Sequence, residues 1–429
     1  MDPTELTPRR YGALRYRNFT VLWSGLIVSN MGTWMQNVAS GWLMLQLTNS
    51  PLWLGILGLS FAVPMILIPP FAGAVVDRVH RVRLLFFTQT MQMATALVLA
   101  GLTWLGAIQV WHILLASFVG AALLAFDNPA RQALIPDLVP ANDLLNALSL
   151  NSATYTGAAL VGPALAGILL NPVGPGTLFF INGVSFLAVI LALASLRGVR
   201  THSGETNASL RSSFWNGLSY AGRNRLIVAL LVLSSLGGIF GRSYQNLLPA
   251  FGRDIWHAGP EGYGLLLSAA GGGALIGAFG LASFRRLRNQ GAVMMVNGFL
   301  FSLALVGFAL SPTLWLGAVL LIIAGITSTV FATIISTFIQ FSVPNEMRGR
   351  VMSLYTVTLI GLPSLGALGS GSLAEWLGGV QGAPRAVMLC ALVLGVLTLV
   401  LVPAFVRRDL PERYIGAAPA PELDDAGSK

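Results

Sequence analysis

Residue types that perform acid–base, nucleophilic or metal chemistry are scarce in this sequence. Its 429 residues include 16 aspartates and glutamates, 4 histidines and 1 cysteine. The sequence has no His-x-x-x-His metal pair, no Gly-x-Ser-x-Gly elbow and no phosphate-binding loop ending in Lys-Ser or Lys-Thr. The scattered histidines and the lone cysteine do not make an ordinary zinc site. We therefore predict no metal, no cofactor and no enzymatic centre.

Two charged residues stand out because they lie within otherwise apolar segments. Asp127 falls near the end of the segment 110–135, and Arg242 falls inside the segment 226–250. A charge at the middle of a bilayer costs roughly 2.5–3.5 kcal/mol on insertion scales. Such side chains must therefore face protein or water, and they mark candidate functional positions.

The composition defines the elements that must hold these residues. Hydrophobic residues make up 55% of the chain, charged residues only 10%, and the mean hydropathy is +0.74. Ordinary globular domains are about 25% charged, so a soluble enzyme is excluded, and a disordered protein needs the opposite composition. A membrane-spanning helix needs roughly 20 apolar residues. The chain is therefore predicted to be an all-α polytopic membrane protein.

Twelve apolar runs divide the chain into two sets of six. They lie at about 18–45, 51–76, 84–106, 110–135, 144–170, 176–197, 226–250, 261–283, 291–310, 312–340, 350–378 and 384–406. We predict a cytoplasmic N-terminus (1–17), a first six-helix bundle (18–197), a cytoplasmic linker (198–225), a second six-helix bundle (226–407) and a disordered tail (408–429). The linker is expected to hold a short interfacial amphipathic helix at 212–224.

Basic residues fall almost entirely on one predicted side of the membrane. With the N-terminus in the cytoplasm, 22 of the 25 arginines and lysines lie on the inner side. This asymmetry predicts a multi-pass protein with both termini cytoplasmic. It also explains the net charge of +9 without a nucleic-acid partner.

The two sets of helices carry matching residues, which indicates an internal repeat. Val139, Pro140, Ser149, Leu150, Gly162 and Gly167 match Val343, Pro344, Ser353, Leu354, Gly366 and Gly371 at a constant offset. Parallel six-helix repeats are typical of transporters whose substrate site lies between the halves. The predicted fold is therefore two pseudo-symmetric six-helix bundles with 12 transmembrane helices.

Two motifs resemble signatures of the major facilitator superfamily. The segment 73–83 (GAVVDRVHRVR) resembles the loop Gly-x-x-x-Asp-Arg-x-Gly-Arg-x-Arg between helices 2 and 3, with His80 in place of a glycine. The segment 162–167 (GPALAG) resembles the Gly-Pro-x-x-Gly-Gly signature of drug antiporters, with Ala166 where a second glycine is usual. Simple helix packing is the alternative role of Gly162, Pro163 and Gly167.

Further segments resemble one branch of that superfamily, the transmembrane secretion effectors, which include enterobactin exporter-like and macrolide efflux-like proteins. These segments are 14–19 (LRYRNF), 29–36 (SNMGTWMQ), 126–136 (FDNPARQALIP), 263–266 (YGLL) and 348–353 (RGRVMS). The resemblance implies the major facilitator fold and secondary transport by alternating access. One expected feature is missing, because 111–124 lacks the arginine that many proton antiporters carry in helix 4.

The resemblance also implies a gate at the cytoplasmic side. When the cytoplasmic side is closed, Asp77 would face the start of helix 11 just after Arg350. Arg81 would pair with Asp127 at the foot of helix 4. Solvated loop charge is the alternative. The expected gating residues are Gly73, Asp77, Arg78, Arg81, Arg83, Asp127, Arg131, Arg348 and Arg350.

In this architecture helices 1, 4, 7 and 10 line the cavity. Arg242 is predicted to contact an anionic or carbonyl-rich substrate group, or otherwise to extend to the outer surface beside Tyr244. Packing between helices is the expected role of about half of the polar residues in these helices. The substrate-cavity candidates are Asn30, Trp34, Asn37, Arg242, Gln245, Thr333 and Gln340.

These observations predict a secondary active transporter in a bacterial cytoplasmic (inner) membrane. It would export small amphipathic molecules of the drug or siderophore class, with a proton gradient as driving force and Asp127 as the coupling residue. The expected partners are the substrate and the lipid bilayer, and the expected unit is a monomer. The alternative is a non-transporting receptor or a lipid-moving protein of the same fold.

Overall fold

The computed structural model describes residues 12–196, 218–283 and 290–403. Within these ranges the chain is helical and contains no strand. The predicted tail, residues 212–217 of the predicted linker helix and Arg285, Arg286 and Arg288 lie outside the described residues, and residues 218–223 of that helix are helical.

The first half contains six helical segments. They are α1 (Arg17–Thr48), α2 (Pro51–Leu67, continued after Ile68 by Pro69–Arg78), α3 (Arg81–Trp104), α4 (Val110–Leu138), α5 (141–173) and α6 (175–195). Helices α5 and α6 follow each other without a loop, because Gly174 takes a left-handed φ of 75° that bends the run Ala141–Ser195.

The second half contains six further segments. They are α7 (Arg225–Ile255), α8 (Gly259–Ser283), α9 (Gln290–Leu310), α10 (Leu314–Ser342), α11 (Met347–Trp376) and α12 (Ala383–Leu401). Nine helical stretches of the described chain, counting α5 and α6 as one, are long and apolar enough to cross a membrane. The two halves together form an all-helical membrane protein.

The segment 73–83, expected as a loop, is mostly helical. Residues Pro69–Arg78 continue α2, and α3 begins at Arg81, so only Val79 and His80 lie between the two helices. Prolines at the first positions of the continuation favour a fresh helix start after Ile68, since their missing N–H groups need no partner there. The basic residues of this segment are therefore held on helix ends.

Three π-helical turns interrupt helices of the second half. Gly237–Gly241 and Phe251–Ile255 lie in α7, and Val357–Gly361 lies in α11. Ser234, three residues before the first of these turns, shares a hydrogen bond with Thr358 in the third, with their hydroxyls 2.7 Å apart. Turns of this kind often mark functional positions, and the first of them directly precedes Arg242.

The two halves meet at one end of the molecule. We call the end with Arg81, Arg131 and Arg348 the basic end, and the end with Asn49 and Glu375 the opposite end. Contacts between α2 and α11 run from Pro51 against Gly371 to Ile66 against Gly361, and those between α5 and α8 run from Gly167 against Gly264 to Ala159 against Gly271. These contacts occupy the opposite-end side of each helix.

Toward the basic end the halves separate. Tyr155 of α5 has 62% of its surface exposed. A Cβ atom added at Gly157 of α5 or Gly280 of α8 would find no heavy atom within 4 Å. The space between the halves is therefore closed at the opposite end and open toward the basic end.

Close backbone packing in the second half predicts a stability difference between two glycines of α8. A Cβ atom at Gly273 would collide with the Ile322 carbonyl oxygen of α10, whereas Gly280 has open space. We expect Gly273→Val to destabilise the protein by about 3 kcal/mol, at the upper end of overpacking costs. Gly280→Val, measured by thermal unfolding in detergent, should unfold at or above the wild-type temperature. Equal melting temperatures for the two variants would contradict this packing.

Candidate transport pathway and gates

The cavity between the halves ends at two cross-half contacts. On α1, a Cβ atom at Gly41 would lie 3.0 Å from the Tyr263 hydroxyl of α8. On α7, Asn246 lies against Gly58 of α2. A Cβ atom added at Gly58 would lie 3.3 Å from Asn246 Oδ1. One helical turn toward the basic end from these contacts, on the same helix faces, lie Asn37 and Arg242. Both are exposed, and they mark the closed end of the cavity.

Arg242 is the charged group at this closed end. It is exposed, while its neighbours Gly241, Ser243 and Tyr244 are buried. Among the described residues the ion pairs are Arg81–Asp137, Arg131–Asp127 and Arg253–Asp254, so none includes Arg242. Its guanidinium can therefore offer its donors to a bound molecule.

Two tyrosines lie within electrostatic range of the Arg242 charge. They are Tyr244, two residues later on α7, and Tyr355 on α11. The Tyr355 hydroxyl donates to the Ala332 carbonyl on α10 over 2.8 Å, and Thr333, the next residue, is exposed. Arg242 thus lies near the junction of α7, α10 and α11, and both tyrosines are buried.

The other predicted cavity residues have different surroundings. The Asn30 amide donates to the Leu26 carbonyl of its own helix over 2.8 Å. Trp34 packs its Cβ against Gly162 of α5, and its ring lies 6.5 Å from that of Tyr155. Gln245 is half-buried. Helix packing therefore accounts for Gly162, while Trp34 forms part of the first half's inner wall.

Gln340 lies near the basic end. Its side-chain amide donates to the Ser336 hydroxyl over 3.1 Å, and its backbone carbonyl oxygen accepts from Arg348 Nε over 3.2 Å. The structure thus places Gln340 with the gating candidate Arg348 and away from Arg242.

Asp127 lies inside the first half and is fully buried. Its Oδ1 accepts from the Thr88 hydroxyl over 2.9 Å and from the Gln89 amide over 2.8 Å, both on α3. Its Oδ2 is paired with Arg131, four residues later on α4. A buried carboxylate needs such charge and hydrogen-bond partners, and Asp127 is the one buried carboxylate in the part of the chain that the structure describes.

The predicted Arg81–Asp127 pair is wrong. Arg81 binds Asp137, with 2.8 Å between Nη1 and Oδ2, and also donates to the Ala133 carbonyl over 3.1 Å. Helix α4 continues to Leu138, so Asp127 does not lie at the end of the helix. It lies about 15 Å further along the helix axis than Asp137, because each residue adds 1.5 Å. Arg81 begins the antiparallel helix α3 and therefore reaches the level of Asp137.

The remaining gating candidates lie at or near the basic end. Arg78 and Arg83 are exposed, and Arg350 Nη1 lies 3.5 Å from the Met347 sulfur of its own helix. The side chains of Gly73 and Asp77 lie outside what the structure describes. The hydrogen bonds of Arg81, Arg131, Arg348 and Arg350 to described residues stay within one half, as expected when the halves are apart at this end.

An apolar cavity of about 330 Å³ lies beside the Asp127 network. Residues of α2, α3 and α4 line it, including Val75, Phe87, Phe118 and Phe126, and Thr88 contributes to its wall. Thr88 therefore lies between the Asp127 carboxylate and this apolar surface.

Sequence reasoning missed the partners of the charged residues. Thr88 and Gln89 are adjacent polar residues inside an apolar segment, which is a recognisable signal for buried hydrogen bonding. Asp137 lies in the same helix as Asp127, and only the helix register distinguishes the two. The polar contacts that cross between the halves at the opposite end were also not foreseen.

Two six-helix halves around a central cavity define a multi-pass membrane transporter of the major facilitator type. Solved structures agree: the structure superposes on an inward-facing, occupied bacterial homologue of the human lysosomal transporter Spinster with a TM-score of 0.74, at 16% identity, covering 96% of this chain and 100% of that one. The nucleoside transporter NupG gives a TM-score of 0.68 at 14% identity, covering 90% of this chain and 98% of that one.

The family model described as transmembrane secretion effector matches residues 9–423, and the chain belongs to this family. The staphyloferrin A transporter of Staphylococcus aureus is 25% identical, over 79% of this chain and 85% of the relative. The multidrug efflux pump Tap of Mycolicibacterium fortuitum is 26% identical, over 87% of this chain and 93% of the relative. Macrolide efflux protein A of Streptococcus pyogenes is 24% identical, over 78% and 84%.

The Asp127–Arg131 pair predicts a stability effect that a surface pair would not show. Asp127→Leu leaves a mostly buried guanidinium and two buried donors without their acceptor, which costs about 3–5 kcal/mol. Asp127→Leu combined with Arg131→Leu should recover a large part of that loss. Asp137→Leu, which breaks the more exposed Arg81 pair, should cost about 1 kcal/mol. Thermal unfolding in detergent measures all three, and equal losses for Asp127→Leu and Asp137→Leu would contradict the assignment.

Proposed function

We propose that this protein exports small amphipathic molecules across a bacterial cytoplasmic membrane by alternating access. The observation that carries the proposal is the cavity between the halves, open toward the basic end, with the exposed Arg242 at its closed end. By the positive-inside rule the basic end faces the cytoplasm, so both termini are cytoplasmic. The cavity would then load from the cytoplasm, and the single chain supplies both of its walls.

The surroundings of Arg242 favour a substrate of the drug or siderophore class. Arginine offers several donors in a rigid fork that suits carboxylate and carbonyl oxygens. Trp34 and Tyr155 add aromatic surface to the same interior. A molecule with an apolar body and an anionic or carbonyl-rich group would match both features. The relatives named as siderophore, macrolide and multidrug transporters support this class.

The basic-end arginines would act as the cytoplasmic gate. In the observed state their contacts stay within each half, as in the bonds of Arg81 to Asp137 and of Arg348 to Gln340. Closing the basic end would bring α2 and α3 against α10 and α11. Charged hydrogen bonds near water can exchange partners at modest cost, so these arginines could then bind carbonyls or carboxylates of the other half.

The contacts of Asp127 support a role for this residue in proton coupling. Protonation would remove the negative charge that holds Arg131, while Thr88 and Gln89 could still donate to the neutral acid. Arg131 has 14% of its side chain exposed, so it can leave toward water when the pair breaks. The proton would thus alter α4, the helix expected to line the cavity, and link a proton gradient to the transport cycle.

Replacing Arg242 should impair export without unfolding the protein. We expect Arg242→Gln to lower the efflux of an identified substrate at least about tenfold, because one charged hydrogen bond contributes about 1.5–3 kcal/mol. Arg385→Gln, which changes an exposed arginine at the opposite end, should leave efflux near wild type. Efflux from loaded cells or inverted vesicles measures both. Unchanged efflux by Arg242→Gln would remove Arg242 from the substrate site.

The coupling proposal predicts a distinct behaviour for Asp127→Asn. The amide cannot exchange a proton, so efflux by this variant should no longer respond to a pH gradient across inverted vesicles. Exchange of substrate across the membrane without a gradient should remain measurable. Efflux by Asp127→Asn that still depends fully on the pH gradient would exclude Asp127 as the coupling residue.

A further inference from the structure

A polar contact between the halves closes the opposite end of the cavity. Arg253, near the end of α7, reaches across to the end of α1. Its Nη1 donates to the Leu45 carbonyl over 2.9 Å, and its Nη2 donates to Asn49 Oδ1. No sequence motif of the family resemblance includes any of these three residues.

The end of α1 is built to accept this arginine. Asn49 takes a left-handed φ of 49°, and its N–H closes the last turn of α1 on the same Leu45 carbonyl over 2.9 Å. Carbonyl groups at a helix C-terminus carry partial negative charge and favour a nearby cation. Arg253 therefore binds the helix end through both a backbone and a side-chain oxygen.

Asp254 fixes the direction of the guanidinium. Arg253 Nε donates to both oxygens of Asp254, over 3.1 and 2.9 Å. The pair is half-buried, with 22% and 21% of the side chains exposed. The two remaining guanidinium nitrogens then point across the boundary between the halves, and water can reach the site when the contact breaks.

A second polar contact accompanies the first. The Ser50 hydroxyl at the start of α2 donates to Glu375 Oε2 near the end of α11 over 2.7 Å. Toward the cavity, the rings of Trp42 and Tyr263 stack across the halves with centroids 6.4 Å apart, and both side chains are buried. The opposite end is thus closed by an apolar layer covered by a polar one.

We propose that Arg253 is a positioning residue for the transport cycle: it latches the end of α1 to α7 and keeps the opposite end closed while the basic end is open. Opening that end separates α1 from α7, so both Arg253 bonds to the first half must break. The Asp254 contact lies within one half and persists, so the guanidinium stays aimed for reclosure. The proposal rests on transport by alternating access, as proposed above.

Thiol labelling tests the latch without a substrate. Cys390, which is buried, is replaced by serine, and Asn37→Cys places one reporter just below the closed contacts. A membrane-impermeant maleimide is applied to one side of sealed vesicles at a time. A separate Ala107→Cys reporter, in the exposed turn between α3 and α4, identifies the side of the opposite end.

We expect Arg253→Gln to raise labelling of the Asn37→Cys reporter from the opposite-end side at least about threefold, as a shift toward the outward-open population requires. Arg385→Gln is the matched control, because the described contact of Arg385 is with Leu377 of its own half. Labelling of Arg253→Gln equal to that of Arg385→Gln would overturn the proposal.

Thermal unfolding in detergent reports whether each variant remains folded. If Arg253→Gln fails this control, Asn49→Gly, which removes the side-chain acceptor of Arg253 and tolerates the left-handed φ, must raise opposite-end labelling, and no increase would overturn the proposal. Loss of the proposed export function would appear separately, as normal latch behaviour without efflux of any substrate.

Discussion

A charge inside an apolar span must be paired, bound to a helix end or exposed to water, and this constraint organises the whole molecule. Asp127 satisfies it with Arg131, Thr88 and Gln89. Arg253 satisfies it with Asp254 and the end of α1. Arg242 has no ion-pair partner among the described residues and satisfies it through exposure. In the proposed pathway, the cavity supplies the water that Arg242 needs at that depth.

The closed end of the cavity depends on close backbone approach as well as on polar contacts. A Cβ atom at Gly264 would lie 2.5 Å from the Pro163 carbonyl oxygen, and one at Gly55 would lie 2.7 Å from that of Ala367. Small residues let helix backbones approach closely inside a membrane. These glycine surfaces allow close approach but do not select which helical turns pair. The directional hydrogen bonds of Arg253 and Ser50 fix which turns face each other. Reversible closure needs both properties.

Much of the fold was predictable from the sequence, because apolar run length reports membrane spans directly. The family resemblance and the membrane fold are confirmed. The pairing of Arg81 was predicted wrongly, since ten residues separate Asp127 from Asp137 on one helix and only the register with α3 selects between them. The contact of Arg253 with the first half was missed because its partners include a backbone carbonyl, which a pattern of side-chain types cannot predict.

Alternating access between the two observed ends is the central claim, and paired distance measurements test it most directly. Spin labels at Val79 and Gly349 report the basic end, and labels at Ala107 and Gln381 report the opposite end; all four residues are exposed. Measured by electron–electron double resonance across conditions that change substrate or pH, the basic-end distance should shorten whenever the opposite-end distance lengthens. Two distances that stay fixed, or that lengthen together, would contradict the account.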